Sequence, residues 1–289
     1  MTVLFDKFPL RDQVTLSCGP LPQPYHIYDG RGLLIGGLAD LAAARSLLAA
    51  QNVVPVIAGP DRTFMAVWVC DFTQASLGPH LELQVSLFVT HYRPVKIAAK
   101  HPLTLLKVML SRPDVGMFCH GLWNDRATVV AYNRELLGLD ARLATAEVRG
   151  DKSAGHFAFH FEDAQSGQPV LRGRAHYQPR AASRVGLALM RQLGLEGIHK
   201  LAANPWVSLK VINPIGPHLA GNYEAMTYTE NKQNLLRYSD PSQEDRLEFA
   251  DPRYQALQFQ PQFVQQMSGF RFVYLNPKPS SARPIIRHP

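Results

Sequence analysis

Two apolar runs of strand length, separated by a short polar segment, constrain the fold of this chain more than any other feature. The first extends from Thr63 to Asp71, and the second alternates apolar with polar residues from Leu81 to Leu87. Strict alternation is typical of a half-buried strand, whereas a short continuous apolar run is typical of a strand buried on both faces. The pattern therefore predicts two successive strands in a fold that is rich in β-structure.

Further strand patterns recur along the whole chain. The run Ala127–Val130 is β-branched and predicts a buried strand, and Tyr25–Gly32 predicts a strand that turns at Asp29-Gly30. The other predicted strands are Leu33–Gly37, Leu143–Val148, a hairpin over Gly155–Tyr177, Val207–Pro214, Tyr223–Glu230, Arg246–Phe249 and Gly269–Leu275.

Helical patterns are few. Apolar residues recur at helical spacing over Leu38–Gln51, over Pro102–Ser111 before Pro113, and over Ala182–Ala203, where Gly194 and Gly197 interrupt the pattern. Residues 1–21 are rich in proline and polar residues and predict an arm that lies over the body, and residues 277–289 predict a disordered tail. We expect one domain, of α+β class, over residues 1–289.

Charge and cysteine content limit the classes of function. The formal net charge is +7, but the basic residues are dispersed, which disfavours a nucleic-acid groove and favours attraction of small anions. The three cysteines lack metal-ligand spacing and suit a reducing compartment. No signal peptide and no apolar run of about 20 residues is present in the sequence, so we expect a cytoplasmic protein without a membrane partner.

The stretch from Ala131 to Ala144 contains Arg134-Glu135-Leu136 and a compact turn around Gly138. It resembles the signature of the acetoacetate decarboxylase family, which is a small residue, Gly-Arg-Glu, a spacer, and then aromatic-Pro-Lys-Lys-Leu. Asn133 replaces the glycine, and an ungapped comparison places the two lysines at Ala141 and Arg142. In the family the first lysine forms a Schiff base with a keto acid. Because alanine has no amine, the resemblance implies that this chemistry is lost here.

The same resemblance extends to the first pair of predicted strands. The family has an Asp, a short Ser/Thr-rich turn and Leu-Gly-x-aromatic-x-Glu, and Asp71, Leu77, Gly78 and Glu82 fit that pattern. The resemblance implies that Glu82 is an active-site carboxyl. A second family glutamate falls on Met65, which implies a more apolar pocket.

The resemblance also concerns ligand binding and the fold. It places a substrate-binding arginine at Arg31, with the insertion of one residue, and Arg142 could assist in clamping an anion. It implies a mostly antiparallel, barrel-like or cone-like α+β fold with a few flanking helices. Segments 91–116 and 182–203 are insertions relative to compact family members. Family members form dimers and larger rings, so we expect a homo-oligomer.

Histidines offer two further possibilities. His120 could line the site as an acid or base, or it could be a hydrogen-bonded structural residue. The predicted hairpin contains His156, His160 and His176, but no carboxylate spacing supports a metal site, so we expect neither a metal nor another cofactor.

Three hypotheses about function follow from these patterns. The first is an acetoacetate decarboxylase-like enzyme of altered chemistry, of the lyase, dehydratase, cyclase or hydrolase type. It would act on a keto-acid-like or polyketide-like molecule through Glu82 and an arginine clamp, without a Schiff base. The second is a non-catalytic protein that binds a small anionic or apolar ligand. The third is a decarboxylase with a relocated amine such as Lys210, the only lysine in an apolar predicted strand.

Overall fold

Long antiparallel strands form the frame of the protein in the computed structural model, which describes residues 3–91, 93–151, 156–176, 182–203, 207–213, 223–240 and 245–279. The strands are β1 (Asp12–Leu16), β2 (Gly19–Gln23), β3 (Tyr25–Asp40), β4 (Val54–Pro55), β5 (Arg62–Ala75), β6 (His80–Thr90), β7 (Gly116–Asn124), β8 (Ala141–Asp151), β9 (His156–Asp163), β10 (Pro169–His176), β11 (Val207–Asn213), β12 (Tyr223–Tyr238), β13 (Arg246–Phe249), β14 (Gln260–Tyr274) and β15 (Lys278–Pro279). The helices are α1 (Val3–Lys7), α2 (Leu41–Leu47), α3 (Thr104–Ser111), α4 (Ala127–Ala131), α5 (Ala182–Ala203) and α6 (Pro252–Gln255), and a π-helical turn spans Tyr132–Leu136.

One large curled sheet contains the described strands except the β1–β2 hairpin. Its order is β13-β10-β9-β8-β7-β11-β12-β14-β3-β5-β6-β4, with β15 paired to β12. Strand β7 also pairs with β6, and this extra pairing is what curls the sheet. Strand β7 runs parallel to β8 and β11, and the other pairs of named strands are antiparallel. The expected α+β class and the mostly antiparallel sheet are therefore confirmed.

The two faces of the curled sheet pack on two separate apolar cores. Along β5, the side chains of Phe64, Ala66, Cys70 and Phe72 belong to one core, which also contains Tyr25, Leu122, Ala141 and Phe270. We call this the cavity-side core. The intervening side chains Met65, Val67 and Val69 belong to the other core, with Leu33, Leu83, Phe118 and Tyr254. We call this the opposite core. Since successive strand side chains point to opposite faces, residue parity decides which core a residue joins.

The predicted strand at Ala127–Val130 is wrong, because this segment forms α4 and continues into the π-helical turn. The cause lies in the sheet. Strands β7 and β8 are parallel neighbours, so the chain between them must return to the same end of the sheet. A crossover of this kind cannot be a tight strand-to-strand turn and is usually helical.

The predicted turn at Asp29-Gly30 is also wrong, because β3 is continuous from Tyr25 to Asp40. Its pairing with β5 instead shifts register on both sides of Asp29, as at a bulge. A Cβ atom at residue 30 would lie 2.9 Å from the carbonyl oxygen of Asp71. Glycine at this position therefore allows two strands to approach closely and does not mark a chain reversal.

Most of the other predicted elements are present, some with different bounds. Helix α2 is shorter than its pattern, α3 lies within the predicted 102–111 helix, and α5 is broken at Gly194, whose φ is 69°. The predicted hairpin is present as β9 and β10. No helix in the described ranges has the length and apolar character required to cross a membrane.

The terminal segments contain regular structure. The predicted arm holds α1 and most of the β1–β2 hairpin, and Phe8 stacks on Tyr228 at 4.5 Å between ring centroids. The prediction of disorder from residue 277 is wrong for Lys278 and Pro279, which pair with β12. Residues 280–289 of that tail lie outside the described residues.

Candidate active site

A small cavity on the cavity-side core is the best candidate for a ligand site. Its volume is about 60 Å³. Among the described residues its wall consists of Tyr25, Trp68, Cys70, Phe72, Glu82, Gln84, Met117, Leu122, Asn133, Leu139, Leu209, Val211, Thr227, Thr229, Phe270, Phe272 and Tyr274. A mostly apolar and aromatic wall with a few polar groups is typical of small-molecule sites.

Glu82 is the only carboxylic acid in the described part of this wall. It lies on β6, paired with Cys70 of β5 and Asn124 of β7, so protein surrounds it on both sides. Part of its side chain remains accessible from the cavity. Burial raises the pKa of Glu82 from 4.5 to about 7, and a hydrogen bond from Asn124 partly opposes that increase. Near neutral pH both protonation states are populated, which is the condition that favours general acid/base catalysis.

Two asparagines hold the carboxyl group in place. Asn124 Nδ2 donates to Glu82 Oε2 over 3.1 Å, and Asn133 Nδ2 donates to Asn124 Oδ1 over 3.0 Å. The second bond fixes the Asn124 amide with its NH₂ group towards Glu82. Asn133 belongs to the π-helical turn, and irregular turns of this kind are frequent at functional sites.

The turn that carries Asn133 is fixed to the rest of the protein. Gly138 follows it with a φ of 67°, a left-handed conformation that glycine adopts without strain, as the sequence predicted for a compact turn. The amide of buried Asn213 donates to the carbonyl oxygen of Leu137, and its Oδ1 accepts from the Tyr274 hydroxyl over 3.2 Å. Glu135 accepts from the backbone N–H of Ser17 over 2.9 Å, which joins the N-terminal arm to the same turn.

Tyr25 is another polar residue of the cavity wall. Its hydroxyl lies 2.5 Å from His80 Nε2, and His80 Nδ1 lies 2.8 Å from the carbonyl oxygen of Gly78. A carbonyl oxygen can only accept, so Nδ1 carries the hydrogen. Burial lowers the pKa of His80 below its usual 6.5, so the ring is neutral and Nε2 accepts the proton of the Tyr25 hydroxyl. Burial is also the largest cause of the raised pKa of Tyr25, followed by the charge of Glu82.

The structure places Ala141 and Arg142 on different faces of the sheet. Ala141 pairs with Leu122, is completely buried and belongs to the cavity-side core. Arg142 pairs with Trp123 of the opposite core and lies 3.2 Å from Asp140. Adjacent strand residues alternate between faces, so only Ala141 is on the side of Glu82.

The other residues predicted from the resemblance are also separated from Glu82. Arg31 Nε lies 2.8 Å from Asp71 Oδ2, and the Arg31 side chain is 42% exposed. Met65 is fully buried in the opposite core. His120 Nδ1 lies 3.0 Å from the hydroxyl of Tyr254, which also belongs to that core. None of these side chains is part of the described wall of the cavity, and His120 has the contacts of a structural histidine.

Lysine and arginine are absent from the described wall of the cavity. On β11 the side chains of Leu209 and Val211 contribute to the wall, so the alternation of the strand directs Lys210 to the other face. Lys210 Nζ lies there, 3.7 Å from Glu224 Oε2. Within the described residues, no group of three or more His, Cys, Asp or Glu side chains has the geometry to hold a metal ion.

Sequence patterns did not single out four of the residues that shape this site, namely Tyr25, His80, Asn124 and Asn213. Asn124 and Asn213 are completely buried polar residues at the ends of their strands. A polar residue that terminates an apolar strand is the one signal that could have identified them, but it is too common to be specific.

Comparison with known proteins gives matches at the level of structure. The acetoacetate decarboxylase of Legionella pneumophila subsp. pneumophila str. Philadelphia 1 superimposes with a TM-score of 0.56 at 12% identity, over 97% of this chain and 96% of that one. A second acetoacetate decarboxylase structure gives 0.52 at 13% identity, over 89% of each chain. The enduracididine biosynthesis enzyme MppR, complexed with pyruvate, gives 0.51 at 12% identity, over 89% of this chain and 90% of that one.

No protein-family model matches the sequence, and a search of curated proteins gives no match. Structural similarity at such low identity establishes the fold and does not extend to the chemistry. The acetoacetate decarboxylase-like fold predicted from the sequence resemblance is therefore confirmed.

Proposed function

We propose that this protein is an enzyme that moves protons at a carbon atom next to a carbonyl group in a small keto compound, with Glu82 as the general acid/base. The observation that carries the proposal is the Glu82 carboxyl, which has a pKa of about 7 and is the only carboxyl in the described, otherwise largely apolar, cavity wall. Removal of a proton from the carbon next to a carbonyl group is the first step of dehydration, cyclisation and many lyase reactions. The proposal therefore fits an acetoacetate decarboxylase-like fold used for altered chemistry.

The reaction proceeds without a Schiff base. An amine nucleophile requires a lysine in the site with a lowered pKa, and the described wall contains no lysine. Ala141 occupies the position that the sequence resemblance assigns to that lysine, and Lys210 lies on the other face of β11. These positions favour acid/base chemistry over the alternative of a relocated amine.

The ligand is neutral and carries at least one carbonyl oxygen. Aromatic side chains form much of the wall, whereas Arg31 and Arg142 lie on the other side of the sheet and are left out of the proposed site. An uncompensated carboxylate in such a cavity would lose its hydration without gaining a cationic partner. We therefore expect neutral ketones, diketones and polyketide-like molecules to bind better than free keto acids.

Deuterium exchange provides a direct test. Diacetyl and pyruvate have equal size and each has a methyl group next to a carbonyl, but only pyruvate is charged. Proton NMR in heavy water measures the loss of their methyl signals with the wild type and with Glu82→Gln. We expect exchange of diacetyl to exceed that of pyruvate, and Glu82→Gln to reduce it about 100-fold.

A matched control is Glu147→Gln on β8, since the Glu147 side chain is 56% exposed and pairs with Arg149. It should exchange diacetyl at the wild-type rate. Binding of diacetyl is measured separately by the fluorescence of Trp68 in the cavity wall. Binding without exchange, unaffected by Glu82→Gln, would identify a non-catalytic binding protein and reject the enzyme.

A further inference from the structure

Tyr25 and His80 form a hydrogen-bonded pair that the proposed role of Glu82 leaves unexplained. Both side chains are almost completely buried, at 1% and 3% exposure, and the Tyr25 ring contributes to the cavity wall. The Gly78 carbonyl determines the direction of their hydrogen bonds, because it can only accept. His80 Nδ1–H therefore donates to that carbonyl, and the Tyr25 hydroxyl donates to Nε2. With its hydrogen directed at His80, the Tyr25 oxygen can only accept a hydrogen bond from a ligand.

An acceptor at this point suits a ligand that has a hydroxyl group as well as a carbonyl group. We infer that Tyr25 and His80 form a second proton-transfer pair, which takes the proton from the hydroxyl oxygen of an enol while Glu82 supplies a proton to the enol carbon. The inference rests on the proposed function and specifies its ligand, a small β-dicarbonyl compound whose enol is populated in water.

The step balances in protons and electrons. The enol O–H proton passes to the Tyr25 oxygen as the proton of Tyr25 passes to His80 Nε2. The enol oxygen becomes a carbonyl oxygen, and the electron pair of the C=C bond takes the proton of the Glu82 carboxyl. The product is the keto tautomer, with Glu82 ionised and His80 as imidazolium. A proton returned from His80 to Glu82 through water restores the starting state, so no other reactant is needed.

Tyr25 is the catalytic residue of this pair, since it is part of the described cavity wall, whereas His80 is not part of it and acts through Tyr25 as a positioning residue. Burial disfavours the imidazolium form of His80 and lowers its pKa, and the charged groups around the ring act in both directions. Asp125 and Asp71 favour the protonated ring, whereas Arg126 opposes it, and the Gly78 carbonyl accepts from Nδ1 in both states. The pair is thus held in one geometry while its charge changes.

Two titrating groups predict a bell-shaped pH profile. In both directions of the reaction, the reactive state carries one titrating proton in total, either on Glu82 or on His80. We expect the rate to fall above about pH 7, where Glu82 loses its proton. It also falls at low pH, where His80 becomes protonated, below its usual 6.5 because burial lowers its pKa.

Acetylacetone is a suitable probe because its neat liquid is largely enol. After dilution into buffer, the decay of the enol absorbance measures ketonisation with and without the protein. We expect Tyr25→Phe to slow the catalysed rate about 100-fold. The matched control is Tyr132→Phe, since the Tyr132 ring centroid lies 5.6 Å from that of Tyr25 and its buried hydroxyl has no hydrogen-bond partner among the described residues. This variant should retain the wild-type rate.

His80→Gln separates positioning from proton transfer. Its amide oxygen can still accept from Tyr25 but cannot take the proton. Since the relay then lacks its proton acceptor, we expect the catalysed rate to fall about as far as in Tyr25→Phe, and the remaining activity to keep only the limb at about pH 7. The methyl ether of the acetylacetone enol has no O–H, so Tyr25→Phe and the wild type should bind it equally. Equal binding shows that the cavity is intact. If Tyr25→Phe does not fold, His80→Gln tests whether the Tyr25–His80 pair transfers the proton.

The outcomes distinguish this inference from the proposed function. If Glu82→Gln abolishes ketonisation but Tyr25→Phe keeps the wild-type rate, the Tyr25–His80 pair is rejected and the role of Glu82 stands. The pair is also rejected if Tyr132→Phe is as inactive as Tyr25→Phe. A wild-type profile with a single limb also rejects the pair. If Glu82→Gln has no effect either, both proposals fail.

Discussion

Replacement of Glu82 by glutamine should make the protein more stable at high pH, although it removes the proposed catalytic group. The pKa of the carboxyl is raised from 4.5 to about 7 because the fold removes it from bulk water. At about 1.4 kcal/mol for each tenfold change in proton affinity, this corresponds to about 3 kcal/mol. That figure is an upper value, since the Glu82 side chain is only partly buried and part of it remains accessible from the cavity.

The sign follows from proton linkage. Between pH 4.5 and about 7 the folded protein keeps the Glu82 proton while the unfolded chain has lost it. The free energy of unfolding therefore decreases as pH rises through this window, and the loss is complete above about 7. Glutamine is neutral at every pH and escapes this loss. When the pH is raised from about 4 to about 9, the free energy of unfolding of the variant should increase by up to about 3 kcal/mol relative to that of the wild type.

Urea unfolding followed by tryptophan fluorescence at these two pH values measures the difference. Other titrating groups cancel when the variant is compared with wild type at each pH. Glu147→Gln, at an exposed surface pair, should differ from wild type by less than about 0.5 kcal/mol at both. Parallel pH dependences of wild type and Glu82→Gln would refute the conclusion that Glu82 is buried and protonated.

Further measurements test the other parts of the site. Asn124→Leu removes the donor that lowers the pKa of Glu82, so carboxyl ¹³C NMR should show that pKa above about 7; an unchanged pKa would contradict the hydrogen bond. Arg31→Ala and Arg142→Ala should leave the affinity for pyruvate, an anion, within about twofold by fluorescence titration, because both side chains lie outside the described cavity wall, and a loss above about tenfold would restore the anion clamp. Borohydride with acetoacetate or pyruvate should give no covalent adduct by intact mass, and an adduct that is lost in Lys210→Met would instead show a relocated amine.

The sequence predicted the local elements well where side-chain periodicity decides the structure. The alternation at Leu81–Leu87 became β6, and the helical spacing over 182–203 became α5, with its break at Gly194. Prediction failed at Ala127–Val130 and at Asp29-Gly30, since both depend on a partner strand. The parallel pairing of β7 with β8 requires a helix in the first case, and the close approach of β5 requires glycine in the second.

For the candidate site, the sequence supplied Glu82 and the alanine at the expected lysine position, because both follow from a linear pattern of residues. It could not supply the faces on which the other candidates lie. Arg142 is adjacent to Ala141 in the chain, yet strand alternation places it on the other side of the sheet. Arg31, Met65 and His120 are separated from Glu82 in the same way, and a linear pattern carries no record of that separation.

The sequence by itself thus determined a β-rich α+β fold and the place of most of its strands, and it indicated Glu82 as a candidate carboxyl. Only the tertiary structure decided what that carboxyl can do. Its pKa depends on burial and on Asn124, and the second proton-transfer pair depends on a contact between Tyr25 and His80, which are 55 positions apart. Proton affinity and hydrogen-bond direction are properties of the surroundings in space, so they exist only once the sheet has curled.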